Sequence, residues 1–259
     1  MIDSLYIGAT GLNAQQLNVD TIANNLANVN TTGFKRSRVN FEDVMYREVQ
    51  RANGLPGSER NAHLVGSGVG VAGTHKLFTA GELKKTDNAF DIAIRGEGFL
   101  EAVLADGRQV YTRTGRLTVN KDGFLATSEG HALKPSISVP SNAKAIDIGS
   151  DGMVLATFAN GRKPEEIGQI ELANFRNVSG LTPLGENLYR STEASGEATF
   201  GKPGEDGRGL VAQGYLETSN VKLVEEMVGL MVAQRAYEVS AKVIQVSDEL
   251  MSLSNNLRR

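Results

Sequence analysis

The two ends of this chain constrain it most. Ile2, Leu5, Ala9, Leu12, Gln16, Val19, Ala23 and Leu26 recur at alternating three- and four-residue intervals. Near the other end, Val232, Ala236, Val239, Val243, Val246, Leu250, Leu253 and Leu257 repeat in the same way. This spacing keeps side chains on one face of an α-helix, because 3.6 residues complete a turn. An apolar stripe on a helix is stable only when another surface covers it, and heptad-like seams cover one another. Each terminal segment is therefore the natural partner of the other. The chain has to fold back, with its ends in one helical layer and the rest inserted between them.

The first helix is expected to end at Thr31-Thr32-Gly33, since glycine accepts the left-handed conformation of a helix C-terminus. At 1.5 Å per residue it is roughly 40 Å long. The second is expected over about 221–257, or roughly 55 Å. Ser219 and Asn220 are candidate N-caps, Glu225 and Glu226 suit the positive helix end, and Arg258 and Arg259 suit the negative one. Leu223, Met227, Leu230, Tyr237, Ala241 and Ile244 form a second apolar stripe beside the first. Two stripes exceed what one partner helix covers, so the second is expected to meet another chain.

Charge separates the ends. The formal net charge is −3, yet residues 1–30 carry only Asp3 and Asp20 and no base, while 221–259 carry five bases and five acids. The polar positions of the first helix are mostly amides, among them Asn24, Asn25 and Asn28.

The middle reads as β. Asp106-Gly107, Asp122-Gly123 and Asp151-Gly152 favour hairpin turns. Strand-like runs flank them at Phe99–Val103, Val110–Thr112, Leu117–Val119, Phe124–Ala126 and Val154–Ala156, with more at Ile167–Phe175 and Asn187–Arg190. Such spacing predicts a sandwich or barrel-like domain rather than βαβ units. The 29 glycines fall largely in these turns and in residues 47–75, read as an extended loop carrying Pro56, Gly57, Gly66, Gly68 and Gly70.

Several chemistries are disfavoured. The chain has no cysteine, which removes disulfides, zinc–thiolate sites and thiol nucleophiles. Near-neutral charge argues against nucleic-acid binding. No apolar run approaches the ~18 residues of a membrane span, and residues 1–20 lack the basic and apolar regions of a cleaved leader. Gly68–Gly73 matches a dinucleotide fingerprint but lacks the strand before and the helix after it. His63, His75 and His131 have no metal-ligand spacing. Glu165-Glu166 and Glu225-Glu226 are adjacent in sequence and so diverge in space. No catalytic residue, cofactor site or metal site is assigned. Lys35-Arg36-Ser37-Arg38 is the one basic cluster, read as a solvated loop or as a site of ion pairing between copies.

The end motifs are specific. Ala23-Asn-Asn-Leu-Ala-Asn-Val-Asn-Thr-Thr-Gly-Phe-Lys35 resembles the N-terminal signature of bacterial flagellar rod and hook proteins. Gly214–Val221 and Glu226–Glu238 resemble their C-terminal signature, and Gly96-Glu-Gly-Phe99 with Tyr111-Thr-Arg-Thr-Gly115 resembles the start of their β domain. Length, the 47–75 segment and Gly185-Glu-Asn-Leu-Tyr189 fit the distal-rod branch best. Ser240, Leu250, Leu100 and Leu117 depart from residues common in the family.

The resemblance implies a non-enzymatic structural subunit of α+β class. Residues 1–34 and 221–259 would form a coiled-coil inner domain, 35–95 and 206–220 a connecting region, and 96–205 an outer, mainly antiparallel β domain. It implies export through the flagellar type III apparatus without a cleaved leader, and helical polymerisation in the periplasmic basal body. The implied partners are further copies, proximal rod proteins, the hook protein and the surrounding P- and L-rings. Proximal rod or hook subunits of the same family are the alternatives; a periplasmic peptidoglycan hydrolase or carbohydrate-binding module is a rival from another class. The expected assembly residues are Leu5, Leu12, Val19, Asn24, Asn25, Leu26, Asn28, Gly33, Phe34, Met227, Leu230, Gln234, Arg235, Tyr237, Val243, Val246, Leu250 and Leu253. Amides in the N-terminal helix would let identical copies bond without repeating a charge.

Overall fold

A computed structural model describes residues 2–44, 46–49, 63–158 and 163–256. Helix α1 spans Ile2–Ala27 and helix α2 spans Leu223–Asn256, with antiparallel β-structure between them. Among the described residues, no helix is long and apolar enough to cross a membrane. Contacts divide the chain into two units, one of 1–27, 37–76 and 222–259, the other of 28–36 and 77–221.

The first unit holds both helices. They run antiparallel, with Gly8 of α1 beside Ile244 of α2 and Ile22 beside Gly229. Strand Ser37–Asp43 pairs with Val69–Lys76, with a bulge at Asn40/Phe41 where Ala72 is the extra residue. Tyr46–Val49 pairs with His63–Gly66. The described part of the expected 47–75 loop is therefore hairpin: Gly66 ends one strand, Gly70 lies within the next, and Gly68 is between them, its backbone against Thr10. Glycine there marks close approach to a helix rather than looseness. Pro56 and Gly57 lie outside the described residues.

The second unit is β. Its largest sheet runs Thr182–Gly185, Leu188–Arg190, Gln109–Thr112, Phe99–Val103, Ala132–Lys134, Leu125–Thr127, Leu117–Val119, with Leu172–Asn174 bridging Phe99–Val103 and Thr199–Gly201. A second sheet holds Ala143–Ile148, Met153–Phe158 and Glu165–Gln169. Each Asp-Gly pair closes a hairpin, and Gly107, Gly123 and Gly152 take φ of 83°, 80° and 80°, which the turns require. Two-stranded ribbons pair Ile92–Arg95 with Leu210–Gln213 and Leu83–Lys85 with Tyr215–Glu217. Residues expected in a connecting region are thus paired strands of the β unit.

Strand Phe99–Val103 explains how the unit is filled. Its residues 99–102 are all buried, because both of its faces are covered. Leu100 and Ala102 enter an aliphatic core with Ile92, Val110, Leu125, Val154 and Leu172. Phe99 faces the other way, into an edge-to-face aromatic cluster with Phe78, Phe175 and Tyr189 at ring separations of 5.4, 5.8 and 6.1 Å.

The helix ends differ from expectation. α1 stops at Ala27, and a turn held by Thr31 N–H donating to Asn28 O at 3.1 Å leads to Gly33. Neither predicted cap binds the α2 N-terminus. Ser219 Oγ accepts from Val221 N–H, and the Asn220 side chain bonds Arg36, Leu77 and Thr79 instead.

Candidate functional site

The helix pair shows which surface remains for other molecules. On α1 the buried positions are Gly8, Ala14, Thr21, Ile22 and Asn25. On α2 they are Glu226, Ala233 and Ser247, with Ala236, Ser240 and Ile244 half-buried. Apart from Ile22 and Ile244, which lie against Gly229 and Gly8, these are small or polar residues. A Cβ at Gly8 would lie 2.7 Å from Ile244 Cγ1, and one at Gly11 would lie 3.4 Å from Ser240 Oγ. The helices meet where their side chains are smallest, because close approach there improves packing.

The expected seam is therefore displaced. Leu5, Leu12, Val19 and Leu26 are only half-buried, and Ala9, Gln16 and Ala23 are exposed. On α2 the predicted row is open: Val232 is 64 % exposed, Val239 63 %, Leu250 51 % and Leu253 58 %. Val243, Val246, Met227 and Tyr237 are exposed too, and Leu230 is half-buried. Gln234 and Arg235 are exposed, the latter paired with Glu238 at 2.8 Å. Periodicity locates apolar faces correctly, but it does not weigh side-chain size. It thus assigns to the intrachain contact a row that this chain leaves uncovered.

Three expected interface residues, Asn25, Gly33 and Phe34, are buried within the single chain. Asn25 is 1 % exposed; its Nδ2 donates to Ser37 O at 2.9 Å and Glu226 Oε2 at 3.1 Å, and its Oδ1 accepts from Ser37 N–H at 2.8 Å. That amide pins α1 to α2 and to the first strand. Gly33 and Phe34 are buried within the second unit, where Gly33 takes φ of 70° and its N–H donates to Glu217 O at 2.8 Å. Asn24 is exposed and Asn28 half-buried.

Lys35 also overturns its reading as part of a solvated cluster. It is fully buried, and its Nζ donates to Glu217 Oε1 at 2.6 Å and to Thr79 O at 2.8 Å. Arg113, also buried, donates from Nε to Glu217 Oε2 at 2.9 Å and from Nη2 to Gly96 O at 2.8 Å. Burial pushes the Glu217 carboxyl up, but Arg113 and Lys35 outweigh it and hold the group below the usual carboxylate range. Burial lowers the Lys35 ammonium despite the pull of Glu217. The sequence signal for this cluster was faint: Arg113 is the one charge within Val110–Gly115, a run otherwise apolar, small or hydroxylated.

Among the described residues, no group of three or more His, Asp or Glu is placed to hold a metal. Fold and surface define a structural subunit whose helices keep apolar faces open. Comparison with known proteins gives its family. Residues 5–35 match the family described as flagella basal body rod protein, 93–156 the flagellar hook protein FlgE/F/G D1 domain, and 212–257 the flagellar basal body rod FlgEFG protein C-terminal domain. The chain is 45% identical to the flagellar basal-body rod protein FlgG of Buchnera aphidicola subsp. Schizaphis graminum, over 99% of this chain and 100% of the relative. It is 43% identical to FlgG of Borreliella burgdorferi over the full length of both. FlgF of Caulobacter vibrioides is 35% identical over 96% of this chain and 95% of its own. The chain belongs to the FlgG family of flagellar basal-body rod proteins, and it is a structural subunit of that rod.

Proposed function

We propose that this chain polymerises helically into the distal rod, the periplasmic shaft that carries torque from the motor to the hook. The observation that carries this reading is the open apolar face of α2, with Val232, Val239, Val243, Val246, Leu250 and Leu253 all exposed on one chain. A face of this length costs free energy in water, and lateral contact with other copies removes it. The half-buried Leu5, Leu12, Val19 and Leu26 of α1 complete the contact, in a coiled-coil-like layer. Met227, Leu230, Gln234, Arg235 and Tyr237 lie near the start of α2, and exposed Asn24 with Asn28 supplies uncharged polar contacts. Interfaces between different patches, repeated without closing, build a tube.

The β unit and the segment around 47–75 add contacts between neighbours and to proximal rod, hook, P-ring and L-ring proteins. Subunits reach the site through the type III export apparatus without a cleaved leader. No enzymatic step is part of this function. The test is negative-stain electron microscopy of the purified full-length chain over a concentration series. Straight tubes of constant diameter support the reading, and a chain that stays monomeric at high concentration under all salt conditions refutes it. Deleting residues 50–70 is expected to leave tubes that bend more easily or vary in length.

A further inference from the structure

The chain passes between its two units at 27/28, 36/37, 76/77 and 221/222. Inside the β unit, the chain segments that arrive at three of these points are joined to one another. Leu77 N–H donates to Arg36 O at 2.9 Å. Asn220 accepts from Arg36 N–H at 2.8 Å and donates to Leu77 O at 2.7 Å, so one amide holds both. Glu217 gathers the same segments: Oε1 takes Lys35 Nζ at 2.6 Å and Gly81 N–H at 2.8 Å, and Oε2 takes Arg113 Nε at 2.9 Å. Arg113 then reaches Ile94 O and Gly96 O at the ribbon leading into the aliphatic core. Lys35, Glu217 and Arg113 are all nearly fully buried.

This is an expensive way to fill space. Apolar residues of similar volume are often as stable as a buried ion cluster, so a general contribution to the core does not account for it. A hydrogen-bonded cluster instead fixes one geometry, because any displacement leaves a charge buried without its partner. We propose that Lys35, Glu217 and Arg113, with Asn220, form a clamp that fixes the chain segments at the ends of the β unit in one geometry and shares load among them within that unit. The positioning residues are Lys35 and Glu217, which lie 182 positions apart and act through backbone groups of 33, 79 and 81. The clamp deepens the proposed rod function: it rests on that reading for its purpose and not for its existence.

The test is hydrogen exchange by mass spectrometry on the full-length chain, for Lys35→Met and Glu217→Gln. The second variant keeps the size but removes the charge and one of the two accepting oxygens, and it decides the matter should the first fail to fold. The expected result is a loss of about ten- to a hundredfold in protection confined to peptides around 33–36, 77–81 and 217–220. Strands Phe99–Val103 and Gln109–Thr112 should keep their protection. Unchanged exchange around 33–36 and 77–81 overturns the clamp. So does a uniform loss across the β unit, which marks ordinary core stabilisation. Wild-type tubes, read separately by microscopy, judge the rod assignment. In cells, Lys35→Met is expected to build rods yet swim poorly in viscous medium; full swimming at high load counts against load sharing.

Discussion

Replacing Leu250 and Leu253 together by Asp separates the fold of one chain from its assembly. The two leucines are 51 % and 58 % exposed on a single chain, so each has about half of its burial left to gain. Full burial of a leucine is worth roughly 1.5–3 kcal/mol, which leaves about 1 kcal/mol per residue and about 2 kcal/mol per copy for an interface. Placing even one carboxylate in a dry contact costs about 2 kcal/mol or more. Together the change is about 4 kcal/mol, or roughly a thousandfold in association constant. Within one chain the effect is small. Leu→Asp costs about 0.5 kcal/mol of helix propensity per site, and the added charges sit unfavourably near a helix C-terminus.

The variant should therefore unfold within a few degrees of wild type by circular dichroism, while sedimentation shows no polymer at concentrations where wild type pellets. Ser252→Asp with Ser254→Asp is the control, since both serines are exposed and the added charge is the same. It should retain most of the assembly. If the leucine variant polymerises at the wild-type threshold, the outer row of α2 is not the contact between copies.

Other outcomes follow from the geometry. Asn25→Ala removes three intrachain hydrogen bonds and should destabilise the helical unit by about 2–4 kcal/mol in denaturant titration, whereas Asn24→Asp with Asn28→Asp should weaken tube formation. Gly33→Ala forces a Cβ to within 3.0 Å of Thr114 Oγ1 at a φ of 70°, and should cost about 2 kcal/mol. Gly107→Ala, at a φ of 83° with open space around it, should cost about 1 kcal/mol, and equal losses would discount the Thr114 contact. The Glu217 carboxyl is held below its unfolded value of about 4.3, so its contribution is complete above that pH and is lost as pH falls through the folded value. Glu217→Gln should flatten the acid limb of a stability–pH profile, and an unchanged slope would mean that Glu217 does not titrate with unfolding.

Turn chemistry was legible because it is local. Asp106-Gly107, Asp122-Gly123 and Asp151-Gly152 each specify a hairpin through a few neighbouring residues, and each closes one. The helices were legible for a similar reason, since periodicity needs only a single strip of sequence. What periodicity does not hold is the choice of face. Gly8, Gly11, Ala233 and Ser240 were invisible as a seam because closeness of approach depends on the size of residues on both helices at once. The strand at Val69–Lys76 is hidden because glycines at 66, 68 and 70 imitate a loop until a helix is laid against them, and with it the pairing of Ser37–Asp43.

The charged cluster lay deepest out of sight, and the reason bears on how such a subunit works. Lys35 sits in a basic run beside a helix end, and Glu217 lies just before the other helix; each looks like ordinary surface charge until the ends of the chain meet. Their pairing exists only when the fold is closed, as does the Asn25 bond to Glu226 in the helical unit. The unfolded chain carries these groups as solvated charges and amides. The same groups become buried, directional bonds once both ends are present in one place. The apolar rows of α2 behave in the opposite way: they remain exposed after the chain has folded. Polar residues thus close one chain on itself, and the exposed apolar rows are what that closure leaves for the contacts between copies proposed above.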